Sequence, residues 1–185
     1  MFTRKVATGI ELRLFEIRDA DAIFAVVERN RAYLREWLPW VDVTKSAADS
    51  RQFILKVREQ FEAGRGPQCG IWIDGSFAGS WGCHPIDWLN KSCSVGYWID
   101  QQHEGKGIIT RCCESMLGYL FDELELHRVV IQCGVFNTRS CAVPERLGFT
   151  REGVLREGAW ANGHWLDLVT WGLLDREWRT LRSGK

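Results

Sequence analysis

The stretch from Val95 to Thr110 restricts the possible folds of this chain more than any other stretch does. An apolar and aromatic run indicates a β-strand that ends near Ile99, a polar turn with two glycines follows, and an amphipathic helix begins at about Gly107. Glycines let a phosphate approach the backbone closely, and the first N–H groups of a helix are unpaired and favour negative charge. The stretch therefore predicts an anion site between a strand and a helix, with Lys106 as a point charge at its rim.

Three phosphate-binding patterns compete for this turn. A Walker A loop fails, because it needs glycine where Asp100 stands and Ser or Thr where Gly107 stands. A dinucleotide-binding fingerprint fits only in part, because its third glycine would fall on Thr110. The pattern Gln-x-x-Gly-x-Gly is complete at Gln102, Gly105 and Gly107, and here the chain resembles the GNAT acetyltransferase superfamily, whose motif of this form wraps the pyrophosphate of acetyl-coenzyme A (acetyl-CoA). A plain strand-to-helix connection would also use glycines.

Composition narrows the classes of partner and compartment. The 185 residues suit one domain over positions 1–185, and 45% hydrophobic residues are enough for a buried core. A formal net charge of zero argues against nucleic acid or an anionic membrane as the main partner. The sequence shows no secretory signal and no apolar stretch that could span a bilayer, so we expect a cytoplasmic protein. Seven cysteines without a C-x-x-C spacing indicate reduced, buried thiols, and we expect no metal site.

Hydrophobic periodicity and turn residues predict an α+β fold. A strand at 10–14 is followed by two helices. Hairpin turns are indicated at Asp74-Gly75 and Asn162-Gly163, because these pairs accept the positive φ angles of tight turns. The strands at 92–99 and 128–135 are joined through a helix and should be parallel neighbours, which places a ligand at their carboxyl ends. The remaining predicted elements are strands at 68–73, 77–83, 151–159 and 165–174, and helices that begin near Gly107, Asn137 and Asp175.

Further runs of residues extend the resemblance. The second half of the chain carries Asn137-x-x-Ser140, then Leu147-Gly148-Phe149 and Glu152-Gly153-x-Leu155-Arg156. Together with Gly96-Tyr97-Trp98-Ile99 and Gly105-Lys106-Gly107, they are similar to the RimJ/RimL-type GNAT enzymes, which acetylate protein N-termini, including those of ribosomal proteins. The resemblance implies a mixed, mostly antiparallel GNAT-type sheet with helices on both faces. It also implies direct transfer from acetyl-CoA to an amine, without a covalent enzyme intermediate.

The same resemblance assigns residues that would hold the cofactor. The main chain of the strand at Tyr97, Trp98 and Ile99 would pair with the pantetheine amides, and its N–H groups would polarise the thioester carbonyl. The side chain of Asn137 would bond the pantetheine arm or simply cap its own helix. The groups that would wrap the pyrophosphate are the motif residue Gln102 and the backbone amides of Gly105, Lys106, Gly107 and Ile108.

The resemblance assigns the chemistry only in part. It implies that Ser140 bonds the departing sulfur, since even a hydroxyl stabilises a thiolate, and the alternative is an ordinary first-turn helix serine. Many relatives carry glutamate two residues before the Gly-Tyr-Trp segment, but here Ser94 stands there and cannot act as a base. The candidate bases are His84, because an imidazole accepts a proton near neutral pH, and the carboxylates Glu157 and Asp167 of the last hairpin. The alternatives are a hydrogen-bonded loop histidine for His84, a solvated surface charge for Glu157 and a bridge between strands for Asp167.

Tryptophans in and beside predicted loops indicate an acceptor site. Trp37, Trp40, Trp160 and Trp165, with Tyr97, would form an amphipathic groove for a peptide end or an apolar amine. A homodimer interface or the core would use them equally well. The sequence therefore predicts an acetyl-CoA-dependent N-acetyltransferase that acts on a protein N-terminus, with a small amine such as a polyamine or antibiotic as the alternative acceptor. A non-catalytic acyl-CoA-binding module is the competing class, because the strand glutamate is missing.

Overall fold

The computed structural model describes residues 2–184, which form one eight-stranded sheet and six α-helices. The strands are β1 (Thr3–Ala7), β2 (Ile10–Leu14), β3 (Gln68–Ile73), β4 (Ser76–Cys83), β5 (Ser92–Ile99), β6 (Arg128–Gly134), β7 (Thr150–Ala161) and β8 (His164–Leu174). The helices are α1 (Ala20–Arg29), α2 (Arg31–Leu34), α3 (Ala47–Glu62), α4 (Ile108–Gly118), α5 (Thr138–Arg146) and α6 (Asp175–Ser183). None of the helices in this described range has the length and apolar character needed to cross a membrane.

The sheet confirms the predicted α+β fold. Its strand order is β1-β2-β3-β4-β5-β6-β8-β7, and among the described strands only β5 and β6 run parallel. Both predicted hairpin turns form, with φ angles of +48° and +78° at Asp74 and Gly75 and of +45° and +109° at Asn162 and Gly163. These positive φ angles are what the two dipeptides accept more readily than most residues.

Strand β1 is an element that the sequence did not predict. It pairs antiparallel with β2 at one edge of the sheet, and its side chains alternate between exposed and half-buried. Gly9, at φ +72°, lies in the turn between the two strands. Because the strand carries Arg4 and Lys5 and buries no side chain fully, its hydrophobic pattern is weak. Charged residues of this kind are common on edge strands.

Helices cover both faces of the sheet, as the resemblance implied. On one face, α1 and α3 pack over Trp72 and Phe77. On the other face, α4 covers a larger cluster that contains Ile71 and Trp81. Neighbouring residues of β3 therefore contribute to opposite sides, as the alternation of side chains along a strand requires.

The sheet splits open between the two parallel strands. β5 and β6 are paired from Ser92 opposite Arg128 to Val95 opposite Ile131, and the ladder ends there. On its other side β5 stays paired with β4 as far as Ile99. The stretch from Gly96 to Ile99 therefore has a backbone edge that faces β6 without a strand partner. Such an edge can pair with an extended ligand that carries amide groups.

Gly172 on β8 lets a salt bridge pass over its strand. Arg128 on β6 donates to both carboxylate oxygens of Glu152 on β7, with 2.6 Å between Nη1 and Oε1, and β8 lies between these strands. A Cβ atom at Gly172 would overlap Glu152 Oε1 and lie 2.8 Å from Arg128 Nη1.

We expect Gly172→Ala to lower the free energy of unfolding by about 1 kcal/mol, because overpacking forces the partly exposed ion pair to shift. Urea denaturation measures this difference. Gly153→Ala is the control, since a Cβ there would meet no atom within 4 Å. Equal losses in the two variants would contradict the explanation.

Candidate active site

A cleft of about 1050 Å³ occupies the opening between β5 and β6. The two strands line its floor, the glycine turn and the first turn of α4 line one side, and the start of α5 lines the other. The segment 33–39, which includes the end of α2, closes its outer part. The cleft therefore lies at the carboxyl ends of the parallel strands, where the sequence predicts a ligand site.

The glycine turn exposes a set of backbone donors. Gly105 and Gly107 have φ angles of +71° and +68°, and α4 begins at Ile108 without a side-chain cap. Within the described part of the chain, the N–H groups from Gly105 to Ile108 donate no hydrogen bond. Because unpaired amides at a helix N-terminus attract anions, the turn fits a diphosphate. The side chain of Lys106 is exposed at this turn and does not line the cleft.

Gln102, the glutamine of the predicted motif, does not line the cleft. Its Nε2 atom donates to Asp100 Oδ2 at 2.8 Å. The structure thus pairs this side chain with the carboxylate that precedes the turn. Its direct contact with the cofactor stays a prediction.

The start of α5 brings Asn137 and Ser140 to the opposite wall of the cleft. Asn137 caps the helix, since its Oδ1 accepts a hydrogen bond from the Ser140 N–H at 3.1 Å. The Ser140 hydroxyl lies 3.3 Å from Cys133 Sγ, and the Tyr97 hydroxyl donates to the Ser140 carbonyl at 3.0 Å. Burial raises the pKa of Cys133 to about 12, so this thiol stays neutral and is a poor nucleophile.

Three cleft residues that the sequence did not single out form a network across the mouth. Glu104, directly before the glycines, accepts hydrogen bonds from Tyr33 on α2 and from Arg139 on α5. Burial and the contact with Glu104 raise the pKa of Tyr33, which therefore remains a neutral donor. No sequence signal pairs Tyr33 with Glu104, because the two are 71 positions apart.

Of the three candidate bases, His84 is the one that lines the cleft. Its Nε2 atom lies 3.7 Å from the point where a Cβ on Gly96 would stand, above the unpaired edge of β5. Glu157 and Asp167 do not line the cleft. Asp167 instead accepts a hydrogen bond from the Glu157 N–H at 2.7 Å, and this contact supports a bulge in β7.

The candidate acceptor tryptophans lie in three different places. Trp37 lines the cleft. Trp40 instead packs beside the cluster under α1 and α3, with its ring centroid 5.9 Å from that of Trp98. Trp160 and Trp165 stack edge to face at 5.0 Å and are 51% and 56% exposed, outside the cleft lining. Their roles in acceptor binding or in a homodimer stay predictions.

Comparison with known proteins identifies relatives over almost the whole chain. The family described as an acetyltransferase (GNAT) domain matches residues 10–150. YdaF, a putative ribosomal N-acetyltransferase of Bacillus subtilis (strain 168), is 42% identical over 179 residues, which are 96% of this chain and 98% of YdaF. The ribosomal-protein-serine acetyltransferase of Escherichia coli (strain K12) is 28% identical over 166 residues, covering 90% of this chain and 93% of the relative.

Solved structures give the same result. RimL, a ribosomal L7/L12 alpha-N-protein acetyltransferase solved in complex with coenzyme A, has a TM-score of 0.90 at 26% identity, covering 94% of this chain and 98% of that one. The expected acetyl-CoA dependence is confirmed by this kinship, and the amide-lined turn and the open edge of β5 suit the donor's diphosphate and pantetheine arm. The chain therefore belongs to the GNAT family and is an N-acetyltransferase that uses acetyl-CoA as its acetyl donor.

Proposed function

We propose that this enzyme acetylates the α-amino group of a protein N-terminus, as the names of its ribosomal-protein relatives suggest. The observation that supports this acceptor is the charge of the cleft. Arg111, Arg139 and Arg146 line it, whereas Glu104 is the one carboxylate among the described lining residues and is already paired with Arg139. A polyamine or a basic antibiotic carries additional cations that need carboxylate partners, but a peptide end presents a single amine.

The outer wall of the cleft also suits a peptide. Trp37, Leu38 and Pro39 line this part of the cleft. The tip of the β7–β8 hairpin holds the segment in place, because Asn162 Nδ2 donates to the carbonyls of Arg35 at 2.6 Å and Leu38 at 3.0 Å. A fixed, largely apolar wall can accommodate the first side chains of a substrate while its amine reaches the thioester.

In this proposal the reaction is one direct displacement. The neutral amine attacks the thioester carbonyl, and N–H groups of the open β5 edge stabilise the oxygen that becomes negative. The carbon–sulfur bond then breaks, and the sulfur leaves as a thiolate that accepts a hydrogen bond from Ser140. The acceptor's ammonium form gives up one proton before it attacks, the nitrogen gives up a second proton to water as the amide forms, and the thiolate takes up a proton from solvent.

An α-amino acceptor makes only a small demand on a base. Its reference pKa is near 8, so about a tenth of it is neutral at pH 7. A lysine side chain, with a reference pKa of about 10.4, would need far more assistance. His84, at the cleft wall above Gly96, is our candidate for accepting the proton of the acceptor's ammonium form, directly or through water.

We expect His84→Gln to lower kcat/KM for a peptide acceptor about tenfold at pH 7. The deficit should shrink toward pH 9, because the α-amino group is then neutral without a base. Initial rates between pH 6 and pH 9 test this, with His164→Gln as a control on the exposed hairpin. A deficit that stays constant across this range would show that His84 does not deprotonate the ammonium form of the acceptor.

A panel of acceptors tests the proposed function. Peptides with N-terminal serine, alanine and methionine are compared with spermidine and an aminoglycoside by thiol release, and mass spectrometry locates the acetyl group. Acetylation of a peptide α-amine with the highest kcat/KM supports the proposal. Preference for spermidine would overturn it, and tight acetyl-CoA binding without turnover of any acceptor would favour the non-catalytic module.

A further inference from the structure

A buried carboxylate precedes the glycine turn by five residues. Asp100 follows the last residue of β5 and is 3% exposed. Arg29, at the end of α1, donates to its Oδ2 atom from Nη2 and, at 3.0 Å, from Nε, and Asn30 Nδ2 donates to Oδ1 at 3.1 Å. A charge this deeply buried is tolerated only when it is paired and hydrogen-bonded. Burial acts to raise the pKa of Asp100, but the bonds from Arg29 and Asn30 outweigh it and hold the pKa below its ordinary value.

The same group holds the segment that leads into the turn. Gln102 donates to Asp100 through its backbone N–H at 3.4 Å and through Nε2 at 2.8 Å. Asn30 Oδ1 accepts the backbone N–H of Gln101 at 3.0 Å, and the carbonyl of Asp100 accepts the N–H of His103 at 2.8 Å. The positions of residues 101–103 therefore depend on side chains from α1 and from the residue after it.

A second contact joins the same helical corner to the turn, because Tyr33 on α2 donates to Glu104. Side chains from the corner formed by α1 and α2 thus contact both ends of the segment 100–104, which immediately precedes Gly105. Backbone donors bind an anion well only when their direction is fixed in advance. The glycines themselves cannot fix it, since they are the least restricted residues.

We propose that Asp100, clamped by Arg29 and Asn30, is a positioning residue that holds the glycine turn in the conformation that binds the diphosphate of acetyl-CoA. Asp100 does not line the cleft and acts through the backbone of the turn. The inference rests on the proposed diphosphate site at Gly105–Ile108, and it adds that the affinity of this site is set from outside it.

The chain offers a matched control for a merely structural ion pair. Asp19 is 5% exposed and accepts two hydrogen bonds of 3.0 Å from Arg13, as well as one of 2.8 Å from the Glu16 N–H. It is as buried and as fully paired as Asp100, but neither Asp19 nor Arg13 lines the cleft or touches the turn. Asn replacement removes one buried charge in each case.

The experiment measures the affinity of two ligands by calorimetric titration. Acetyl-CoA carries the diphosphate, whereas S-acetylpantetheine has the same thioester arm without it. We expect Asp100→Asn to weaken acetyl-CoA binding by on the order of tenfold, because the amides of a turn that is no longer held must be ordered when the diphosphate binds. Binding of S-acetylpantetheine should stay within about twofold, and Asp19→Asn should leave both affinities unchanged.

Equal weakening of both ligands by Asp100→Asn, or no weakening of acetyl-CoA, would overturn the proposal. Gly107→Val separates this failure from failure of the diphosphate site itself. If Gly107→Val selectively weakens acetyl-CoA and Asp100→Asn does not, only the positioning role is lost. If neither does, the diphosphate binds elsewhere. Should Asp100→Asn not fold, Arg29→Gln tests the same clamp at a half-exposed side chain.

Discussion

Replacing Gly107 by valine is expected to weaken acetyl-CoA binding by on the order of a hundredfold, or about 2.7 kcal/mol. Gly107 has a φ angle of +68° at the position directly before α4. A β-branched residue at positive φ is a strong outlier, and strain of about 1–3 kcal/mol favours a different backbone conformation. A change there redirects the amides from Gly105 to Ile108, which are proposed to bind the diphosphate together.

Crowding alone does not account for this prediction. A Cβ at Gly107 would have its nearest neighbour, the flexible end of Arg111, at 3.6 Å, which is ordinary van der Waals contact. The effect therefore arises from the backbone and not from a clash. Titration calorimetry with acetyl-CoA measures the affinity, and chemical denaturation measures the accompanying loss of stability.

Gly64 provides a close control for the strain. It follows α3, has the same φ of +68°, and a Cβ there would meet no atom within 4 Å. Gly64→Val should lose a comparable amount of stability, about 1–2 kcal/mol, but keep its acetyl-CoA affinity. Equal affinity losses in the two variants would mean that Gly107→Val acts through general destabilisation, and the diphosphate site would have to be sought elsewhere.

Ser140→Ala should lower the rate of acetyl transfer roughly ten- to a hundredfold while acetyl-CoA affinity changes less than about twofold. A hydrogen bond to a charged group contributes about 1.5–3 kcal/mol, and a full negative charge on sulfur exists only as the thioester breaks. The hydroxyl therefore stabilises the transition state more than the bound ground state. Single-turnover kinetics separate this step from product release, which limits kcat in many enzymes.

The fold should survive this change. The Ser140 backbone N–H keeps its bond to Asn137 Oδ1, so the cap of α5 is retained. The lost contact with Cys133 Sγ involves a weak acceptor. Ser115→Ala, on α4 outside the cleft lining, is the matched control and should transfer acetyl groups at the unaltered rate. An unchanged rate in Ser140→Ala would show that Ser140 is not the hydrogen-bond donor to the departing sulfur.

The local conformation of the proposed cofactor side could be predicted because its signals are local. The turn uses positive φ angles at Gly105 and Gly107. Asn137 caps α5 by accepting a hydrogen bond from the N–H of Ser140, three residues later. Such signals lie within a few consecutive residues, so they survive in any fold that contains the segment. The acceptor side had no comparable motif. Exposed tryptophans were its only signal, and of the four on the predicted loops the structure brings Trp37 alone to the cleft.

The sequence by itself determined the strand–turn–helix unit, the two hairpins and the positions along the chain of all strands after the first, because φ preferences and hydrophobic periodicity are properties of neighbouring residues. Only the tertiary structure decided which distant side chains meet. Arg29 reaches Asp100 and Tyr33 reaches Glu104, each across 71 positions, because α1 packs against the sheet and α2 follows it after one residue. It also left Glu157 and Asp167 outside the cleft while placing His84 at its wall. Contacts of this kind follow from how elements pack, and no short stretch of sequence contains that information.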